Sequence, residues 1–164
     1  MNRQRGVTLL ETMVAIAIMG IVIAWGIPSL SDVISNNTVK STADVVFSAL
    51  QEARSEALKR NTAVSATITA TAINLSGSNY AKTISLAGAG SGTTISQNTA
   101  GAITFTSTGQ IVASTSYTIT IINTSCAANN ACLNVEAYGG GFIKVCNPSQ
   151  GDSNASNFCP SSSS

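Results

Sequence analysis

The residues that could carry chemistry are few in this chain, and their types exclude the common catalytic sites. The 164 residues include no histidine, which excludes a Ser-His-Asp or Cys-His nucleophile and any zinc site that depends on imidazole. Charged residues make up 9% of the chain, and the two acids of its second half, Glu136 and Asp152, stand apart in sequence. Paired carboxylates for general acid–base catalysis are therefore missing. We expect a protein that is not an enzyme and has no catalytic residue, cofactor or metal.

Glu11 is the only charged residue in an otherwise apolar run, Val7–Ile27. A helix of that length spans about 30 Å, the thickness of a bilayer core. An unpaired carboxylate near such a core is costly, so Glu11 must be protonated, hydrated near the headgroups, or paired with a cation at the same depth. Cleavage of the chain after Gly6 would create such a cation, the new α-amino group of Val7.

The segment that precedes the apolar run is short and basic. It contains Arg3 and Arg5 and no acid, which favours retention of this end in the cytoplasm and an outward-facing remainder. An ordinary secretory signal has an apolar region of about 7–15 residues, followed by a small-residue cleavage site. Here the small residue, Gly6, comes before a longer run. We therefore predict a leader of residues 1–6 and a retained membrane helix of residues 7–28.

The sequence from Gly6 to Glu11, Gly-Val-Thr-Leu-Leu-Glu, resembles the prepilin cleavage motif of type IV pilins and type II secretion pseudopilins. In that family a membrane-embedded peptidase cuts after the glycine and methylates the new N-terminus. The resemblance implies cleavage between Gly6 and Val7, N-methylation of Val7, and pairing of Glu11 with the N-terminus of a neighbouring subunit. Pro28 matches a helix-kinking proline of many pilins, whereas Val7 replaces the phenylalanine that is commonest there.

Beyond Pro28 the apolar residues recur at spacings of three and four, which predicts an amphipathic half of the helix over residues 29–60. The residues of this stripe are Leu30, Val33, Ile34, Ala43, Val46, Phe47, Leu50, Ala53 and Ala57. We expect the stripe to pack against a C-terminal sheet rather than to form a separate coiled coil. Glu56 and Arg60 have the i,i+4 spacing of a helical ion pair.

Residues 61–146 contain short alternating segments separated by turn residues, which predicts a β-rich domain. Strands are expected at Val64–Ala72, Thr83–Leu86, Ile103–Phe105, Gln110–Ala113, Tyr117–Asn123, Leu133–Ala137 and Phe142–Cys146. A long helix followed by strands predicts an α+β fold with an antiparallel sheet over the helix stripe. Residues 147–164, rich in serine and asparagine, are predicted to form a tail.

The four cysteines, Cys126, Cys132, Cys146 and Cys159, all lie in the part that should be exported. An even number of cysteines in an oxidising compartment favours disulfides over a metal site made of thiolates. We favour the pairs Cys126–Cys132 and Cys146–Cys159, because each closes a short loop. A Cys132–Cys146 bond, which would join two neighbouring strands, remains open.

The order of features in the body resembles the FimT/FimU and GspH-type minor pilins. The shared features are the sequence Ala-Arg-Ser-Glu-Ala over residues 53–57, a threonine-rich sheet, and a glycine-rich hairpin with cysteine near the end. This resemblance implies the type IV pilin fold and a minor pilin that takes part in initiating or stabilising pilus assembly. The implied partners are other major and minor pilins, the prepilin peptidase and the inner membrane. A GspH-like pseudopilin of type II secretion and an abundant shaft pilin remain open.

The same resemblance implies where the protein is located and suggests DNA binding as an alternative function. The protein is expected in the bacterial inner membrane, with its C-terminus in the periplasm, before assembly, and at the pilus surface afterwards. FimT-type pilins of competent bacteria bind DNA through a Gly-Arg-x-Arg motif, which corresponds here to Gly141-Phe142-Ile143-Lys144. Only Lys144 carries a positive charge, and affinity for phosphates rises with the number of charges neutralised. Lys144 is therefore a weak candidate, and DNA binding for natural transformation is the less favoured alternative.

Overall fold

The computed structural model of the protein describes residues 8–86, 93–112, 116–123, 132–148 and 159, without the side chains of residues 24–32. The chain divides into two compact units, Met1–Ile34 and Ser35–Ser164. Helix α1, Leu9–Arg60, begins in the first unit and ends in the second. The predicted leader, residues 1–6, and most of the predicted tail lie outside the described residues.

In the second unit α1 buries one stripe of side chains at spacings of three and four. The stripe consists of Val39, Ala43, Val46, Leu50, Ala53 and Ala57, each at most 1% exposed. The three alanines leave room for other elements to approach the helix axis closely, while Val46 and Leu50 supply apolar area. The structure confirms the predicted stripe from Ala43 onward. Val33 and Ile34, which the sequence placed in the same stripe, are instead 51% and 58% exposed.

Within the described part of the chain, eight strands follow the helix and form two antiparallel sheets. The strands are β1 Val64–Ile68, β2 Ala72–Gly77, β3 Tyr80–Ser85, β4 Thr93–Gln97, β5 Ile103–Phe105, β6 Tyr117–Asn123, β7 Cys132–Ala137 and β8 Ile143–Cys146. One sheet has the order β3-β2-β1-β5 and the other the order β4-β6-β7-β8. The α+β class is therefore confirmed, with two sheets where the sequence indicated one.

Both sheets contribute to one hydrophobic core with the second half of α1. The inward residues of β1, β2 and β5 meet those of β6 and β7, as the alternation of strand side chains requires. The largest fully buried members are Phe105, Leu50, Ile73, Leu75, Ile103, Ile119 and Ile121. This single core fixes the positions of the loops and charged clusters that are considered below.

Three strand predictions need correction. The expected strand Val64–Ala72 ends at Ile68, because the backbone of Thr69 pairs with Ala72 across a tight turn, and β2, which begins at Ala72, was not predicted. The expected strand Gln110–Ala113 is only a bridge between Ile111 and Phe105 among the described residues. Strand β4 was missed, since its five residues contain a single large apolar side chain, Ile95.

Candidate functional site

The start of α1 places Glu11 in the first turn of the helix. Thr8 is the N-cap residue: its hydroxyl accepts a hydrogen bond from the Glu11 amide at 3.3 Å, and its carbonyl accepts one from the Thr12 amide at 3.3 Å. A carboxylate in the first turn interacts favourably with the positive end of the helix dipole. Thr8-Leu-Leu-Glu11 also has the spacing of a capping box, a local role that the sequence contained and our prediction missed. Gly6 and Val7, the predicted cleavage site, lie outside the described residues.

The first part of α1 carries an apolar surface on every side. Ten large apolar side chains are each at least 50% exposed: Leu9, Leu10, Met13, Val14, Ile16, Ile18, Met19, Ile21, Val22 and Ile23. A helix that is hydrophobic all round is normally buried in lipid or among other helices. Glu11 is the charged residue within this surface, which the chain itself leaves uncovered in the described residues.

Among the residues with described side chains, no helical stretch is both long enough and apolar enough to cross a membrane. The predicted span of residues 7–28 includes Val7 and the side chains of residues 24–28, Pro28 among them, which are not described. That span stays a prediction.

Arg54 forms a hydrogen bond with one of two glycine turns that pack on each other. Its Nε donates a hydrogen bond to the Gly109 carbonyl at 3.1 Å, and Ala53 and Ala57 on the same helix are fully buried. Gly141 packs directly on Gly109, since a Cβ at Gly141 would lie 2.0 Å from the Gly109 oxygen. The Ala-Arg-Ser-Glu-Ala segment therefore has a structural role: its alanines enter the core, and its arginine hydrogen-bonds to the Gly109 turn on which Gly141 packs.

Lys144, the weak DNA-contact candidate, is already paired. Its Nζ lies 3.3 Å from Oε2 of Glu136 on the adjacent strand β7, and the two side chains are 26% and 9% exposed. The hydroxyl of Tyr138 donates to the same Glu136 oxygen. Burial, together with this hydrogen bond, raises the pKa of Tyr138 to about 12. The positive charge of Lys144 thus faces a carboxylate, which reduces what it can offer to a phosphate.

A second charged cluster connects the end of α1 to the β2–β3 hairpin. Glu52 accepts hydrogen bonds from Lys82 Nζ, at 2.6 and 2.8 Å on its two oxygens, and from the Tyr80 hydroxyl at 2.9 Å. The hydrogen bond from Lys82 is the main reason that the pKa of Glu52 is lowered. The ion pair expected between Glu56 and Arg60 is present, with Nε to Oε2 at 2.7 Å.

One of the two favoured disulfides is described in full. Cys146 and Cys159 are joined with a sulfur–sulfur distance of 2.02 Å. Cys132 is also disulfide-bonded, and its expected partner, Cys126, lies outside the described residues. A carboxylate oxygen of Glu136 lies within 4.8 Å of the Cys146 and Cys159 sulfurs. Because both sulfurs are used in the disulfide, this group does not supply the thiolates of a metal site.

Comparison with protein families gives two matches along the chain. Residues 1–27 match the prokaryotic N-terminal methylation motif. Residues 42–141 match the family described as type II transport protein GspH. A comparison with curated proteins gives no match.

Comparison with solved structures finds the same fold in two proteins. The type IV minor pilin FimU of Pseudomonas aeruginosa PAO1 aligns with a TM-score of 0.56 and 22% identity, over 66% of this chain and 88% of FimU. The minor pseudopilin EpsH of the Vibrio cholerae type 2 secretion system aligns with a TM-score of 0.52 and 13% identity, over 68% of this chain and 98% of EpsH. The GspH match spans more than half of the sequence and follows an N-terminal methylation motif, and the chain belongs to the family described as type II transport protein GspH.

Proposed function

We propose that the protein is a minor type IV pilin, a structural subunit that takes part in initiating or stabilising pilus assembly. It is made as a prepilin in the inner membrane, with its body in the periplasm, and becomes part of the pilus after processing. Its partners are other major and minor pilins and the prepilin peptidase. No catalytic role is proposed.

The observation that carries this proposal is the apolar surface of α1 from Leu9 to Ile23. Every large apolar side chain of this stretch is exposed, whereas the buried residues among those described begin at Val39. Exposed apolar area of this extent is unfavourable in water. Such a helix is suited first to lipid and then to packing against the equivalent helices of other subunits.

In this proposal, proteolytic processing places a positive charge at the start of the apolar surface of α1. Cleavage between Gly6 and Val7 creates an α-amino group, which is then methylated on Val7. Glu11 lies one helical turn from this terminus, and its carboxylate is the natural counter-charge for the terminus of a neighbouring subunit. Pro28 lies at the position of the helix-kinking proline of many pilins.

The amount of filament sheared from a strain that lacks the gene tests the assembly role. Recovery of the major pilin in the sheared fraction should collapse while its cellular pool persists. Unchanged recovery would show that the shaft does not need this subunit.

The substitution Glu11→Ala tests the docking role. The variant should reach the membrane and be processed but should fail to enter filaments, because the counter-charge is missing. A matched variant, Thr12→Ala, changes the neighbouring exposed residue and should leave incorporation intact. Normal incorporation of Glu11→Ala would refute the docking role.

A second candidate is a minor pseudopilin of a type II secretion system, which the match to the GspH family favours. In that case loss of the gene should leave sheared pili unchanged and should instead stop export of folded periplasmic proteins to the medium. Measuring both fractions in one deletion strain separates the two candidates.

DNA binding for natural transformation is the less favoured alternative. The pairing of Lys144 with Glu136 supports this ranking. Retention of DNA by the mature chain should be the same for Lys144→Ala as for the unaltered protein.

A further inference from the structure

A groove in the second unit runs between α1 and strand β3, with a volume of about 520 Å³. Its floor is apolar and is formed by Val45, Ala49 and Ile84, which are themselves part of the core or packed against it. Asp44 lies on its rim, and the ion pair of Glu52 with Lys82 closes one end. The groove thus offers apolar contact below and charge at its margin.

The wall formed by β3 is an open sheet edge. Strand β3 is the outermost strand of its sheet and pairs only with β2 among the described residues. The Leu86 amide bonds to the Thr71 carbonyl, and hydrogen-bonded residues alternate along an antiparallel pair. The backbone N–H and C=O groups of Tyr80, Lys82 and Ile84 are therefore hydrogen-bonded to β2. Those of residues 81, 83 and 85 point away from β2, toward the open edge.

The charges of the groove leave this edge accessible. A lysine on an edge strand normally discourages further strand pairing, but both oxygens of Glu52 hold the Lys82 ammonium against α1. Glu52 and Lys82 also cancel each other's charge. Asp44 is exposed and enters no ion pair within the described residues. Lys40 lies one helical turn before Asp44 on α1 but forms no ion pair with it. The groove therefore offers the Asp44 carboxylate beside a strand edge that no described residue pairs.

We propose that this groove binds an extended segment of a neighbouring pilin-type subunit as a fifth strand on β3. The segment carries an apolar side chain over Val45 and Ala49 and a lysine or arginine against Asp44. Backbone hydrogen bonds along a sheet edge supply the affinity in this mode of binding, and alternate side chains supply the specificity. The identity of the partner as a pilin subunit rests on the proposed function, whereas the peptide-binding site does not.

A peptide titration of the mature full chain in detergent micelles tests the site. The probe is a synthetic peptide with blocked ends, Thr-Val-Lys-Val-Thr-Lys-Thr, and the readout is the amide NMR shifts of the isotope-labelled protein. Saturable shifts are expected at residues 81, 83 and 85. A peptide in which glutamate replaces both lysines should bind about tenfold more weakly, because an attractive charge pair with Asp44 becomes a repulsive one. Equal binding of the two peptides would overturn the role of Asp44.

Two variants at Thr83 separate strand pairing from simple groove occupancy. Thr83→Pro removes the amide that faces the open edge but no hydrogen bond of the β2–β3 ladder, and proline is tolerated on edge strands. Thr83→Ala loses the same contact of the threonine hydroxyl with Asn74 and keeps the amide. Binding should weaken about tenfold or more in the proline variant and stay unchanged in the alanine variant. Retained binding in Thr83→Pro would overturn the proposal.

Variants expressed in the native host test whether the bound segment comes from a pilin subunit. Asp44→Lys and Thr83→Pro should reduce incorporation into filaments, and Thr83→Ala should not. Lost peptide binding with normal incorporation would overturn a pilin subunit as the partner while the assembly role stands. If loss of the gene leaves filaments unchanged but the peptide still binds as described, the assembly role fails and the peptide site remains.

Discussion

At the scale of single residues, Gly141 has the least room for an added side chain among the glycines that the structure describes. Its φ of +80° lies in the left-handed region, and an added Cβ would lie 2.0 Å from the Gly109 oxygen. Gly141→Ala should therefore lower the free energy of unfolding by about 2 kcal/mol or more. Gly140→Ala is the matched control in the same turn, since nothing lies within 4 Å of its added Cβ. Thermal unfolding should show a clear loss for Gly141→Ala alone, and equal losses would contradict the close-packing argument.

Two tyrosines make the stability of the protein sensitive to alkaline pH. Burial is the main cause, and a hydrogen bond to Glu52 the second, of the rise in the pKa of Tyr80 from 10.0 to about 12. The pKa of Tyr138 is raised to about 12 in the same way, by burial and a hydrogen bond to Glu136. Because the folded state favours the neutral phenol, this stabilisation is complete below about pH 10 and is lost as the pH rises through 12. Tyr80→Phe and Tyr138→Phe should each flatten the decline of the unfolding free energy in that interval. A decline that is unchanged in both variants would contradict the assigned environments.

At the scale of elements, the sequence predicted the helix stripe and the strands that have a periodic apolar pattern. It did not predict features that depend on contacts between residues distant in the chain. The stripe from Ala43 to Ala57 follows from a spacing of three and four, and strand β6 follows from its alternation of isoleucine and threonine. The exposure of Val33 and Ile34 could not be predicted, because it depends on where the sheets begin to cover the helix. Strand β4 was equally hidden, since pairing with β6 rather than its own apolar content holds it in place.

The contact between α1 and the β2–β3 hairpin should make the protein sensitive to acid. The hydrogen bond from Lys82 lowers the pKa of Glu52, so its contribution is present above the unfolded-state pKa, near 4.5, and is lost as the pH falls through the folded-state pKa. Glu52→Gln should destabilise the protein at neutral pH and have a smaller effect in acid.

The matched control for this prediction is Glu56→Gln, which breaks the i,i+4 ion pair with Arg60 on the surface of the same helix. Pairs of this kind contribute little to stability, so its effect at neutral pH should be smaller. Unfolding by denaturant at neutral and acidic pH measures both variants. A larger loss for Glu56→Gln would show that the link to the hairpin is not the important contact.

At the scale of the whole molecule, the N-terminal motif and the body differ in the kind of information that predicts them. The N-terminal motif is a run of adjacent residues, so Gly6, Val7 and Glu11 could be proposed as site residues without any tertiary structure, and their roles stay predictions. The pairing of Lys144 with Glu136 joins two strands, and the hydrogen bond of Arg54 to Gly109 joins residues far apart in sequence. Such contacts require the register of the sheets, which no local pattern provides.

The division of the chain into two units predicts that the second folds without the first. All buried side chains among the described residues lie at or beyond Val39, and a hydrogen bond from Asn123 to Ser35 is kept at the start of that unit. A fragment of residues 35–164 should therefore unfold cooperatively in water without detergent, because the exposed apolar surface of the first unit is absent. A shorter fragment that begins at Val45 loses Val39 and Ala43 from the core and should be less stable by about 3 kcal/mol. If the longer fragment aggregated or showed no cooperative transition, the first unit would be required for folding, and an assembly role limited to its apolar surface would have to be abandoned.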